Sequence, residues 1–179
     1  MMIHPTEPTS FDLRVATIAQ AAALADVMER TFRATFGDST TDGHMAEHCR
    51  SSYGEALQRA EIGDPDTTTL LVKDGDVIAG FAQVRPGNRP NGVTASQPVE
   101  IHRIYVDVPW HGKGVAAMLM EAALRDAVKR GADGVWLGVW EDNARAIRFY
   151  AKWGFVAVGE HIFHVGGDAQ RDVLMSRAL

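Results

Sequence analysis

The stretch Val106-Asp107-Val108-Pro109-Trp110-His111-Gly112-Lys113-Gly114-Val115-Ala116-Ala117 decides how this chain folds. An apolar strand, Ile101 to Val106, leads into it. An amphipathic helix follows at once, with Val115, Met118, Leu119, Ala122, Ala123 and Ala127 at helical spacing. Strand, glycine loop and helix N-terminus together make a place to hold a phosphate. The loop offers unpaired backbone N–H groups, and the helix dipole adds partial positive charge. Gly112 and Gly114 let the backbone approach an anion with no Cβ in the way, and Lys113 adds a full charge. The spacing is not that of a P-loop or of a dinucleotide fingerprint. An ordinary strand-to-helix turn has the same outward form, so the loop alone decides nothing about function.

The next segment narrows the choice. Val135 to Trp140 reads as a strand, Asn143 as an N-cap, and Ala144 onward as a short helix closed by Gly154, with apolar Phe155 after it. Ala146 and Tyr150 lie four residues apart on one face of that helix.

At these two segments the chain resembles the GNAT superfamily of acyl-CoA-dependent N-acetyltransferases. His111-x-x-Gly114-x-Ala116 is similar to the family's [Q/R]-x-x-G-x-[G/A] pyrophosphate loop, and Asn143 to Tyr150 with Gly154-Phe155 is similar to its second signature. His111 departs from the pattern, because the family usually has Gln or Arg there. Further residues resemble the PaiA branch of bacterial polyamine acetyltransferases. These are Thr31-Phe32 and Thr35-Phe36, Arg103-Ile104-Tyr105-Val106, Trp136 to Glu141, and the tail from Gly159 through His161, Phe163, Gly166, Asp168, Gln170 and Asp172 to Met175. The resemblance runs from about Leu13 to the end.

Outward from these motifs, the first ten residues are polar and proline-bearing and read as a loose tail; residues 11–179 read as one domain. Phe11 to Ala16 is a strand. Thr17-x-x-Gln20 is a capping box before a helix to Phe36, and a second helical region covers His44 to Glu61 with a break near Gly54. Asp74-Gly75 marks a hairpin between Thr68–Lys73 and Val77–Arg85. A Pro- and Gly-rich loop spans Pro86 to Pro98, and two strands close the chain around Gly166-Gly167-Asp168. This order gives an α/β fold with a mixed sheet and helices on both faces. The resemblance sharpens it to a mostly antiparallel twisted sheet with a central, splayed parallel strand pair.

Eighteen basic and 23 acidic residues leave a net charge of −5, which argues against nonspecific nucleic-acid binding. Cys49 is the single cysteine, so neither an internal disulfide nor a thiolate zinc cluster can form. It reads as a half-buried helix residue in preference to a nucleophile. The N-terminus lacks the pattern of a signal peptide and no stretch has the length of a membrane span, so the expected compartment is the cytoplasm.

The resemblance implies acetyl-CoA as co-substrate, no metal, and a small-molecule amine as acceptor. Gly112, Gly114, Val115 and Ala116 would hold the pyrophosphate, flanked by His111 and Lys113. The pantetheine arm would lie between Ile104-Tyr105-Val106 and Val135–Trp140, reached by Asn143 and Ala146. Tyr150 would protonate the leaving thiolate: its phenol ionises near pH ~10, against ~8.5 for a thiol. A lysine-like amine resists deprotonation at pH 7 by roughly 4–5 kcal/mol, so a base is needed. Glu100 is the first candidate, and His102 shares its side of the strand. Phe32, Phe36, Tyr53, Trp140 and the Pro86–Pro98 loop would shape the acceptor pocket. Glu29, Asp38, Asp42 and Glu47 read more readily as solvated surface than as cation ligands. Relatives often form homodimers through a strand near the C-terminus. Other acceptors (an amino acid, an antibiotic, a protein N-terminus) and a non-catalytic acyl-CoA sensor stay open at this level.

Overall fold

The computed structural model describes residues 10–179, so the expected N-terminal tail lies outside the described residues apart from Ser10. Strand β1 (Asp12–Val15) is followed by a single 3-10 turn in which the Gln20 side chain accepts the Thr17 N–H at 2.8 Å. That closes the capping box and launches α1 (Ala21–Phe36). Helix α2 (Asp42–Ser52) and helix α3 (Glu55–Gly63) are separated at Tyr53-Gly54. Strands β2 (Thr68–Asp74) and β3 (Val77–Pro86) form the hairpin. Then come β4 (Pro98–Val106), α4 (Val115–Lys129), β5 (Gly134–Trp140), α5 (Ala144–Lys152), β6 (Val156–Val165) and β7 (Asp168–Ala178).

The strands make one sheet in the order β1-β2-β3-β4-β5-β7-β6. All neighbours are antiparallel except β4 and β5. The mixed sheet and central parallel pair match the expected fold class. β7 begins at Asp168, the last residue of the Gly166-Gly167-Asp168 turn read from the sequence. Ala169 and Gln170 pair with His164 and Phe163, so only Gly166 and Gly167 remain for the turn.

Both faces of the sheet are covered, as the unbroken apolar run Leu70-Leu71-Val72 requires. Leu70 and Val72 join the core under α4, with Leu119, Ala123, Leu137 and Tyr150. Leu71 points to the other face, into the core under α1 with Leu24, Met28, Phe32 and Phe81. Each such side chain, fully buried, contributes about 1.5–3 kcal/mol.

The parallel pair positions the site. β4 and β5 are in register only from Pro98–Gly134 through Glu100–Trp136. Beyond that rung β5 continues along β7 and β4 along β3, and the two strands separate. The wedge opens towards the N-termini of α4 and α5.

Candidate active site

A cleft of about 860 Å³ fills the wedge. Ile101 to Val106 form one wall and Leu137 to Trp140 the other, with Gly114 to Ala117 and Asn143, Ala146 and Tyr150 at one end. At that end the first turn of α4 has no side-chain cap. Its leading N–H groups therefore lack intrahelical partners and point into the opening, the condition for holding an anion. Gly112 and Gly114 have φ of 74° and 88°, and a Cβ at either would meet nothing within 4 Å. Their demand is conformational: the left-handed turn exposes the N–H groups.

His111 does not serve as a free phosphate donor. Its Nε2 lies 2.8 Å from the Val106 carbonyl, which requires that nitrogen to carry the proton. Nδ1 then accepts from the Arg145 guanidinium at 3.0 Å. The residue ties the loop to the end of β4 and steadies Arg145, which lines the same opening. Sequence reading missed Arg145, though its place two residues after the N-cap was a signal. Lys113 is exposed and outside the cleft lining. The Asn143 side chain accepts the Ala146 N–H at 3.1 Å, so it is an N-cap on the cleft wall.

The opposite half is aromatic. Phe32 stacks on Phe36 (4.4 Å between centroids) and on His48 (4.3 Å), and Trp140 packs against Phe36 at 5.2 Å. Tyr53 and Phe163 complete the chamber. Phe32, Phe36, Tyr53 and Trp140 thus all line the cleft. His48 and Phe163 were not foreseen, because nothing local marks them as facing a cavity. Burial keeps the His48 imidazole below its ordinary pKa. The Pro86–Pro98 loop corrects the expectation: none of it lines the cleft, because Gly92 packs on the Val158 backbone and Ala95 on Gly134.

Tyr150 lies between the two halves, 7% exposed and packed on Phe149 and Phe155. Burial, then the nearness of Tyr105 and Asp172, pushes its phenol well above the usual range, so it keeps its proton. Glu100 is placed differently from the expectation. It sits on the last paired rung of β4 and β5, where there is no gap, and lines a separate recess with Arg85, Gly87 and Trp136. Its carboxylate accepts from Arg85 at 2.7 Å and lies 3.4 Å from His102 Nδ1. Burial opposes its charge, but the hydrogen bonds from His102 and Arg85 prevail and hold its pKa below normal. His102, two residues on, does line the cleft. Burial lowers its pKa, only partly offset by Glu100, so a neutral imidazole faces the wedge. Arg103, also on the lining, is paired with Glu61 at 2.7 Å and sits over the Tyr53 ring. Glu29, Asp38, Asp42 and Glu47 stay off the cleft. Cys49 is buried away from it, with its thiol pushed up by desolvation. Among the described residues no group of His, Cys, Asp and Glu has the arrangement of a metal site, and no helix is long and apolar enough to cross a membrane.

A strand pair that parts just before an uncapped helix N-terminus is matched at family level. The model of the acetyltransferase (GNAT) family fits residues 26–155. The chain belongs to the GNAT family. A Mycobacterium bovis protein named an uncharacterized N-acetyltransferase is 33% identical over 162 residues, which are 90% of this chain and 99% of that one. One from Lactobacillus delbrueckii, named likewise, is 30% identical over 86% of this chain and 88% of its own. Among solved GNAT structures, the PaiA N-acetyltransferase of Thermoplasma acidophilum in complex with coenzyme A aligns over 95% of this chain and 99% of its own. The TM-score is 0.77 at 18% identity, a likeness of fold. Membership carries the reaction class: GNAT proteins are acyltransferases acting on nitrogen.

Proposed function

We propose that this GNAT protein transfers the acetyl group of acetyl-CoA to a primary amine of a small molecule, with polyamines such as spermidine and spermine as the first acceptors to test. One observation carries the reading. A single cleft runs from the uncapped N-terminus of α4, through the β4–β5 wedge and past Tyr150, into an aromatic chamber.

The residues present fit the co-substrate. The free N–H groups at Gly114 to Ala116 would take the pyrophosphate, and Arg145 would add the full charge that His111 cannot. The unpaired edges of Ile104 to Val106 and Leu137 to Trp140 would take the amide-bearing arm by strand-like pairing. When bound, the thioester supplies an activated acetyl carbon. Tyr150, protonated by virtue of burial, donates to the departing sulfur. His102 is the neutral group positioned to receive a proton from the amine, directly or through water, and Glu100 holds its ring from behind. The two residues read from the sequence thus keep their partnership with the contact role moved to His102.

β6 forms one edge of the sheet and exposes Val156 and Ile162, which supports a homodimer testable by sedimentation. The deciding experiment for function is CoA release from acetyl-CoA against an amine panel, with product masses measured. Turnover led by spermidine or spermine is expected. Turnover confined to other amines replaces the acceptor and keeps the enzyme. Binding of acetyl-CoA with no turnover on any amine overturns the catalytic reading in favour of a sensor.

A further inference from the structure

The cleft contains a carboxylate that none of these roles uses. Asp172 lies on β7 between Trp140 of β5 and His161 of β6, and it lines the cleft. It is 8% exposed, and among the described residues its buried Oδ1 has no hydrogen-bond partner. Oδ2 has His161 Nε2 at 4.0 Å, too far for a hydrogen bond. A buried carboxylate left in this state is unfavourable unless something completes it.

Gly138 on the adjoining strand makes room for Asp172 and His161 at the cleft wall. A Cβ on Gly138 would stand 3.1 Å from Asp172 Oδ2 and 2.9 Å from His161 Cε1. Trp140, Phe36 and Phe163 line the same cleft as Asp172 and form its aromatic chamber. Aromatic walls with one unpaired carboxylate suit an alkylammonium ion, which gains from both the ring faces and the charge. Arg103, a cation in the same cleft, is satisfied by Glu61 and does not neutralise Asp172.

We propose that Asp172 is the anionic anchor for a second, non-reacting alkylammonium group of the acceptor, so that the cleft selects small amines carrying such a cation over those without one. The inference rests on the acetyltransferase reading of the cleft and names its acceptor class. It also sets a pH dependence. Burial raises the Asp172 carboxyl to about 6, with His161 opposing, so the anchor is anionic above that pH and neutral below it. The other titratable groups around it are Tyr105 from β4 and Tyr150 from α5, both pushed up by burial, and His48 from α2, pushed down. These groups stay uncharged near neutrality.

Two measurements test it. The first compares wild type with Asp172→Asn at pH 7.5 on 1,4-diaminobutane, whose second nitrogen stays an ammonium while the first reacts, and on n-butylamine, which has only the reacting nitrogen. A charge-assisted contact corresponds to about 10–100-fold, so kcat/KM on the diamine should fall by about that factor, carried mainly by KM. The n-butylamine and acetyl-CoA constants should change less than about threefold by the same reasoning. An equal fall on both amines, or none on the diamine, overturns the anchor. The second uses wild-type protein and calorimetry with butyltrimethylammonium and its uncharged carbon isostere. The cation should bind at least about tenfold tighter at pH 7.5 and lose that margin at pH 5. Equal binding overturns the anchor. This second result stands whether or not acetyl transfer is observed. Failure of the functional reading would instead appear as absent turnover on every amine, whether or not the cation binds.

Discussion

Replacing Asp172 by Asn should make the folded protein more stable at neutral pH. The carboxyl is buried beside an imidazole that it does not reach, and its pKa lies near 6 in the fold. In an unfolded chain the value is about 3.9. At about 1.4 kcal/mol per tenfold in the ionisation constant, that difference penalises the fold by about 3 kcal/mol when the group is fully ionised. The sign follows from the raised pKa. Below about pH 3.9 the carboxyl is neutral in both states and the penalty vanishes. As pH rises the unfolded chain ionises first, the penalty grows, and it levels off above about 6. Asn removes the charge but leaves a buried amide in need of partners, so a net gain of about 2 kcal/mol is expected. For a domain of this size that is about 4–8 °C in Tm. Calorimetric melts of both proteins from pH 4.5 to 7.5, without ligands, check this. At pH 4.5 the penalty is only about 1 kcal/mol, which the pH-independent cost of the buried amide cancels, so the gain should fall to near zero there. A variant equal to or less stable than wild type at pH 7.5 would refute the reasoning, as would a gain independent of pH. Either result would mean that Asp172 has a stabilising partner.

Tyr150→Phe should lower kcat by at least about tenfold with little change in the acetyl-CoA KM, read from steady-state kinetics. Near wild-type turnover would assign the proton to solvent or another group. Arg145→Ala should raise the acetyl-CoA KM by about five- to tenfold, with the effect fading as salt is added; a salt-independent change would place Arg145 away from the phosphates. Glu100→Gln should move the acid limb of the pH–rate profile to lower pH, because Glu100 partly offsets the depression of the His102 pKa and its loss leaves that base lower still; an unmoved profile would remove His102 as the base. The same substitution should also weaken the fold near neutrality, since the native pKa of Glu100 is depressed. That stabilisation is present above the unfolded value of about 4.3 and is lost as pH falls through the lower native one. Melts that show no such convergence at acid pH would count against the Arg85–Glu100–His102 arrangement.

The glycine loop before α4 was legible because its conformation is local. Backbone N–H groups become available wherever a helix begins without a cap, and a left-handed turn at Gly112 and Gly114 is a property of those residues. The helix starts at Thr17 and Asn143, the hairpin at Asp74-Gly75 and the apolar run on β2 were readable for the same reason. Alternation along β4 correctly put Glu100 and His102 on one side. It could not say which of them meets the cavity, because that depends on the rung at which β4 and β5 part. His111 looked like a phosphate donor until the fold brought the Val106 carbonyl and Arg145 to its two nitrogens. Asp172 shows the limit most plainly. Its neighbours Gly138, Trp140 and His161 come from two other strands, and the register of β7 between them sets its burial and leaves its charge unpaired. The sequence by itself determined the elements, the glycine loop ahead of α4 and the family. Only the tertiary structure decided which ionisable groups face the cleft and at what pH they carry charge, because those properties arise from desolvation and from partners distant along the chain.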